Sequence, residues 1–173
     1  MSALRDRLAE NARGEIGQAG AVARELLDCP ARLDELMALL GDDDGTVVAH
    51  AAHAAMQVAL DRPDLFEGRA ERLMTLLALP GPWERGEQIP KILTRLELDP
   101  DQAARLAEIL AAKLDQRSTI AAASALSALV DLARAGRIDP TVARRAHSLA
   151  LASPRKALAA RARRLSQQVL DLG

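Results

Sequence analysis

Residues 118–134 read STIAAASALSALVDLAR. Ala122, Ala125, Ala128, Leu129 and Leu132 recur at helical spacing, and Ser118 offers a cap in front of them, so the stretch is a helix with one apolar face. Versions of the same pattern stand near residues 49, 86 and 159. With Ala49, Gly86, Ala122 and Ala159 taken as reference points, the spacings are 37, 36 and 37. Three residues later come Ala52, Ile89, Ala125 and Ala162. Six and seven later come Ala55/Met56, Ile92/Leu93, Ala128/Leu129 and Leu165/Ser166, and ten later Ala59, Leu96, Leu132 and Val169. Fifteen of these sixteen positions are apolar, Ser166 being the exception, a match well beyond chance in a chain that is 49% apolar.

Between these helices the punctuation is regular. Pro30, Pro63, Pro100 and Pro140 stand 33, 37 and 40 residues apart, each at the head of another helical pattern. Proline is tolerated there because the amide it lacks would have no partner in the first turn. Asp99 and Asp139 precede two of them as N-caps. The outer helices that follow carry Leu33, Leu36, Met37 and Leu40 (30–40), Phe66, Ala70, Leu73, Met74 and Leu77 (63–79), Leu106, Ile109, Leu110 and Leu114, and Val142, Ala146 and Leu149. Two helices per period of 33 to 40 residues predict an all-α fold, an α-solenoid in which each pair buries its face mainly against its neighbours. The predicted divisions are an N-terminal helical cap over 1–28, with helices at Ser2–Ala12 and Ala21–Asp28, and pairs at 29–62, 63–98, 99–136 and 137–173, in one continuous domain.

The inner helices resemble those of HEAT repeats, which read Asp, a few residues, Val-Arg, two residues, Ala, two residues, Ala-Leu. DDDGTVVAHAAHAAM (42–56) follows this with Asp44, Val48, Ala52, Ala55 and Met56, and DQRSTIAAASALSAL (115–129) with Asp115, Ala121, Ala125, Ala128 and Leu129. The resemblance covers about residues 29–172 and implies a right-handed superhelix of four HEAT-like antiparallel helix pairs, of bacterial type. One departure is consistent: Ala49, Gly86, Ala122 and Ala159 stand where HEAT repeats commonly carry Arg. The usual Arg–Asp ladder is then missing, and cohesion is expected to rest on close Ala/Gly packing.

Composition agrees with helices. There is one Trp, one Phe and no Tyr, so the core is built of Leu, Ala, Val, Ile and Met, which favour helix over sheet. The 20 Arg against 3 Lys point to a GC-rich bacterial coding sequence. Cys29 is alone and reads as a small buried thiol. The opening MSALRDRLAE has no apolar run, so neither a secretion signal nor a membrane span is expected, and a cytoplasmic location is. Residues 1–100 hold 11 basic and 18 acidic side chains, residues 101–173 hold 12 and 6, a polarity that can be a solvated surface or can steer a charged partner.

At 100° per residue, offsets 1, 5, 8 and 12 from each reference point face away from the apolar offsets. They are His50, Ala54, Gln57 and Asp61; Glu87, Lys91, Thr94 and Leu98; Ala123, Ser127, Val130 and Arg134; Ala160, Arg164, Gln167 and Asp171. Inner helices of solenoids line the concave surface where partners dock. The candidate partner-binding residues are accordingly His50, His53, Gln57, Trp83, Glu87, Lys91, Thr94, Ser127, Arg134, Arg164 and Gln167. Trp83 has two readings, as a filler between the first two helix pairs or as an exposed binding anchor.

The chemistry-bearing motifs are weak. His50 and His53 have a spacing that can chelate zinc, but no third ligand is specified and His147 lies on an outer helix. Asp42–Asp44 is contiguous acid rather than a calcium-loop alternation, and reads as an N-cap. No phosphate loop or nucleophile elbow is present. No catalytic residue, cofactor or metal is therefore assigned. The expected function is a non-enzymatic scaffold or adaptor that binds a protein or peptide on the concave surface. Two alternatives stand beside it: a HEAT-like enzyme or lyase accessory that binds a small molecule, similar to bilin-lyase-type proteins, and nucleic-acid binding through Arg155, Lys156, Arg161, Arg163 and Arg164. The mixed charge of the stripe and the lack of aromatic platforms count against nucleic acid. Oligomeric state has no signature in the pattern.

Overall fold

The computed structural model describes residues 2–15 and 17–172. Among them the regular structure is entirely helical. The backbone contacts divide the chain into two compact units, Met1–Leu96 and Glu97–Gly173.

The first unit opens with α1 (Ala3–Ala9) and α2 (Ala19–Asp28). Ser2 caps α1 by accepting from the Arg5 amide, and Leu4 and Leu8, four residues apart, are its buried side chains. Next come α3 (Leu33–Leu39), α4 (Gly45–Asp61), α5 (Ala70–Ala78) and α6 (Trp83–Leu93). Pro30 and Pro63 head short 3-10 turns, Pro30–Arg32 and Pro63–Phe66, rather than α-helical turns. The second outer helix, expected over 63–79, breaks at Gly68, whose φ of 75° belongs to the left-handed region. Helix α6 is shorter than its register predicts: Pro90 removes an amide from its last turns, and Thr94 is its C-cap. Leu98 thus lies outside it.

Helix α4 is the centre of this unit. It packs against α1, α2, α3 and α6, so it is covered on nearly every side. Of its 17 residues, His50, Ala54 and nine others are buried. The cap is held down by ion pairs as well as by its leucines. Arg5 makes a two-pronged bond to Asp42 (2.8 and 2.9 Å), Arg7 and Arg32 share Glu25, and Ser2 and Arg32 both donate to Glu35. These donors hold the Asp42, Glu25 and Glu35 carboxyls below their ordinary range. Cys29, expected to be buried, is exposed, because it forms the C-cap of α2 where the chain turns toward Pro30.

The second unit holds α7 (Pro100–Lys113), α8 (Thr119–Arg134), α9 (Pro140–Leu151) and α10 (Lys156–Leu170). Asp99 forms a full capping box with Gln102, and Asp139 accepts from the Thr141 amide. Helix α8 ends in a Schellman motif: the Gly136 amide donates to Ala133 O (3.0 Å), the Arg137 amide to Leu132 O (2.9 Å), and Gly136 has a φ of 68°. Helix α7 packs on α8, α9 on α10, and α8 on both α9 and α10. In the first unit, likewise, α3 packs on α4, α5 on α6 and α4 on α6. All fifteen apolar positions of the aligned register are buried.

The sixteenth, Ser166, meets a polar partner. Its hydroxyl is 3.1 Å from His147 Nε2, which also lies 2.9 Å from the Ala162 carbonyl. His147 comes from α9 and is buried, so the polar interruption in one helix is matched by the other.

Leu129 is fully buried, whereas Ser127 is half-buried and donates only to Ala123 O of its own helix. In a denaturant titration, Leu129→Ala is expected to cost roughly 2–5 kcal/mol through the cavity it leaves, and Ser127→Ala within about 0.5 kcal/mol. Equal losses would mean that the register is wrong.

Candidate functional site

The residues expected on the outward stripe separate into two groups. In the first unit, α4 carries His50, His53 and Gln57, and α6 carries Trp83, Glu87 and Lys91, with Thr94 as its C-cap. His50 is not an outward-facing residue. It is 2% exposed because α1 and the loop after it lie over this part of α4. Its Nδ1 is 2.7 Å from Leu8 O and its Nε2 2.7 Å from Glu15 O. Both ring nitrogens are thereby occupied by backbone, and neither is open to a metal. Among the described residues, no three His, Cys, Asp or Glu side chains come together to hold a metal ion. Ala54, also expected outward, is fully buried.

His53 is half-buried and sits in the field of Glu87 and Lys91 across the α4–α6 contact. Burial pushes its pKa down; Glu87 opposes this, and Lys91 adds to it. Lys91 is paired with Glu87 at 2.9 Å, one turn away, and Thr94 donates to Lys91 O. Gln57 is half-buried. Trp83, at the first position of α6, is 40% exposed, so its ring both packs and faces solvent. The polar cluster here is already paired internally.

The second unit holds Ser127 and Arg134 on α8 and Arg164 and Gln167 on α10. Arg134, Arg164 and Gln167 are exposed, and Gln167 donates to Asp171 at 2.9 Å. Val130, expected among them, is fully buried; with Leu126 and Leu129 it gives α8 a broader apolar face than the register implies.

Two features were not read from the sequence. The first is a pair of arginines that bind helix C-termini. Arg85, 6% exposed, donates to Leu40 O (3.3 Å), Leu79 O (3.2 Å) and Pro80 O (2.6 Å). Leu40 and Leu79 are the C-caps of α3 and α5. Burial lowers the Arg85 pKa. Gly81 leaves the room: a Cβ there would fall 2.4 Å from Arg85 Nη2. Arg155, the N-cap of α10, donates in the same manner to Leu114 O, the C-cap of α7, and to Gln116 O at 2.7 Å. The sequence signal is an arginine near the start of α6 and another before α10, the first after a Gly-Pro turn.

The second is a groove of about 890 Å³ in the second unit. Leu114, Val142, Ala146, Leu149 and Leu158 supply much of its apolar lining. Arg117, Arg145 and Arg155 also line it, with Asp115 as the single carboxylate. It is formed by outer helices α7 and α9 and the turn into α10.

Comparison with protein-family models, with curated proteins and with solved structures finds no match. Among the described residues no helix is long and apolar enough to cross a membrane.

Replacing Arg85 by Met leaves three carbonyls without their donor and is expected to cost about 1–3 kcal/mol in urea titration. Arg85→Lys recovers only part, since one ammonium lacks the reach of a guanidinium fork, and Arg62→Ala at an exposed pair leaves the midpoint in place.

One part of the pH response comes from His53. Its folded pKa is depressed, so the unfolded chain binds the proton more readily, and stability falls as pH drops through the ordinary histidine range. His53→Gln is expected to flatten the melting temperature between about pH 7 and 5. Losses at lower pH, where Glu25, Glu35 and Asp42 protonate, remain.

Proposed function

We propose that the chain is a HEAT-like α-solenoid adaptor, without catalytic activity of its own, that binds a protein or peptide through its inner helices. The observation that carries this reading is the register. Fifteen aligned apolar positions are buried, while Arg134, Arg164 and Gln167, on the opposite offsets of α8 and α10, are exposed. A repeat that spends one face on its core and leaves charged and amide groups on the other has the surface that solenoids present to partners.

The partner-contact set is narrowed to Ser127, Arg134, Arg164 and Gln167. His50, in the first unit, is spent on holding the cap. Arginine is the side chain best suited to a polar interface, because its planar fork pairs with carboxylates two bonds at a time. A cytoplasmic setting accords with the lone, exposed Cys29.

Crosslinking of the affinity-purified full chain to whatever protein copurifies with it is expected to map contacts to α8 and α10 at these residues. Contacts confined to α3, α5, α7 and α9 would refute the inner-helix site.

A further inference from the structure

We propose that the groove between α7 and α9 is a second docking site, and that its occupant is an acidic amphipathic helix of a partner protein. This goes beyond the inner-helix reading, since it uses the outer helices and none of the residues assigned above.

The floor has the geometry of a helix-binding surface. Val142, Ala146 and Leu149 stand at i, i+4 and i+7 on α9, the spacing with which one helix receives another. Leu149 is 61% exposed, so a large apolar side chain of α9 is left in water beside alanines small enough to admit a partner's leucines. A small ligand is usually enclosed on most sides; this groove is half open to solvent.

Charge selects the partner. Three arginines face a single carboxylate, Asp115, around the groove. Arg155 is committed to the carbonyls of Leu114 and Gln116. Arg117 and Arg145 are exposed and stand ready to pair with acids flanking an apolar stripe. The unit as a whole, Glu97–Gly173, holds 12 Lys and Arg against 8 Asp and Glu, a balance that favours an acidic partner at the encounter. A second copy of the chain does not supply that helix. Its own net-acidic helices, α2, α3 and α4, bury Val22, Leu26, Leu33, Leu36, Val48 and Met56 in their own core.

The test selects peptides from a random displayed library on the full-length chain. The expected winners carry Leu or Met at i, i+4 and i+7 with Asp or Glu beside them. As labelled synthetic peptides they are expected to lose about tenfold or more in affinity to Leu149→Glu and to Arg145→Glu, and to bind Arg164→Glu unchanged. Leu149 and Arg145 are exposed, and unchanged melting curves verify that the variants fold. Enrichment of basic or neutral peptides, no enrichment, or affinity unmoved by Leu149→Glu overturns the proposal. So does displacement of the peptide by a long-chain fatty acid, or a dimer in sedimentation that Leu149→Glu dissolves. Loss of binding with Arg164→Glu alone would overturn the groove and leave the inner-helix reading standing; the reverse pattern separates the two in the other direction.

Discussion

In both units a guanidinium laid against the carbonyl end of an outer helix ties one helix pair to the next. The last carbonyls of an α-helix have no partner within it, and they form the negative end of its dipole. In this fold Arg85 reaches Leu40 and Leu79, the C-caps of α3 and α5, and Arg155 reaches Leu114, the C-cap of α7. Each arginine sits at the start of the second inner helix of its unit and binds the end of the outer helix that precedes the first inner one. One side chain thereby fixes the offset between two successive pairs. Arg85 does this with most of its surface out of water, which lowers its pKa, so the carbonyls are not an accessory to its charge but its principal solvation.

That contact is compatible with an interior of alanines. Ala49, Ala122 and Ala159 are buried at the positions where a longer side chain would push helices apart. Small residues bring more atoms within dispersion range, but they define register poorly, because one alanine packs much like the next. Polar contacts that tolerate only one alignment supply what the alanines lack. Arg85 and Arg155 do so between pairs, His147 with Ser166 does so between α9 and α10, and His50 does so between α4 and the cap.

The buried face of these helices was legible in the sequence because it is a matter of angle. Offsets 3, 6, 7 and 10 define one side of a helix whatever surrounds it, and all fifteen apolar residues there are buried. The opposite side was less legible, because exposure depends on neighbours that the period does not describe. His50 and Ala54 have outward offsets, yet α1 and α2 also pack on α4 and cover what a bare pair would leave open. Helix α6 is shorter than its offsets alone imply, because the period takes no account of the amide that Pro90 lacks. The groove has no signature in any single stripe, because its lining comes from α7, α9 and a turn together.

Arginine does two kinds of work in this fold, pairing with carboxylates or helix ends and facing solvent. In the first, Arg5, Arg13 and Arg69 are committed to Asp42, Glu84 and Asp34 and hold the cap and neighbouring helices, while Arg24 and Arg72 are exposed. In the second, Arg155 is spent on backbone carbonyls, whereas Arg117, Arg134, Arg145 and Arg164 are exposed. An arginine already paired with a carboxylate has to lose that partner before it can take another, and the exchange returns little net free energy. One that faces water gains the full difference between hydration and a two-pronged bond. In the second unit these exposed arginines flank both the α8–α10 stripe and the apolar groove of α7 and α9.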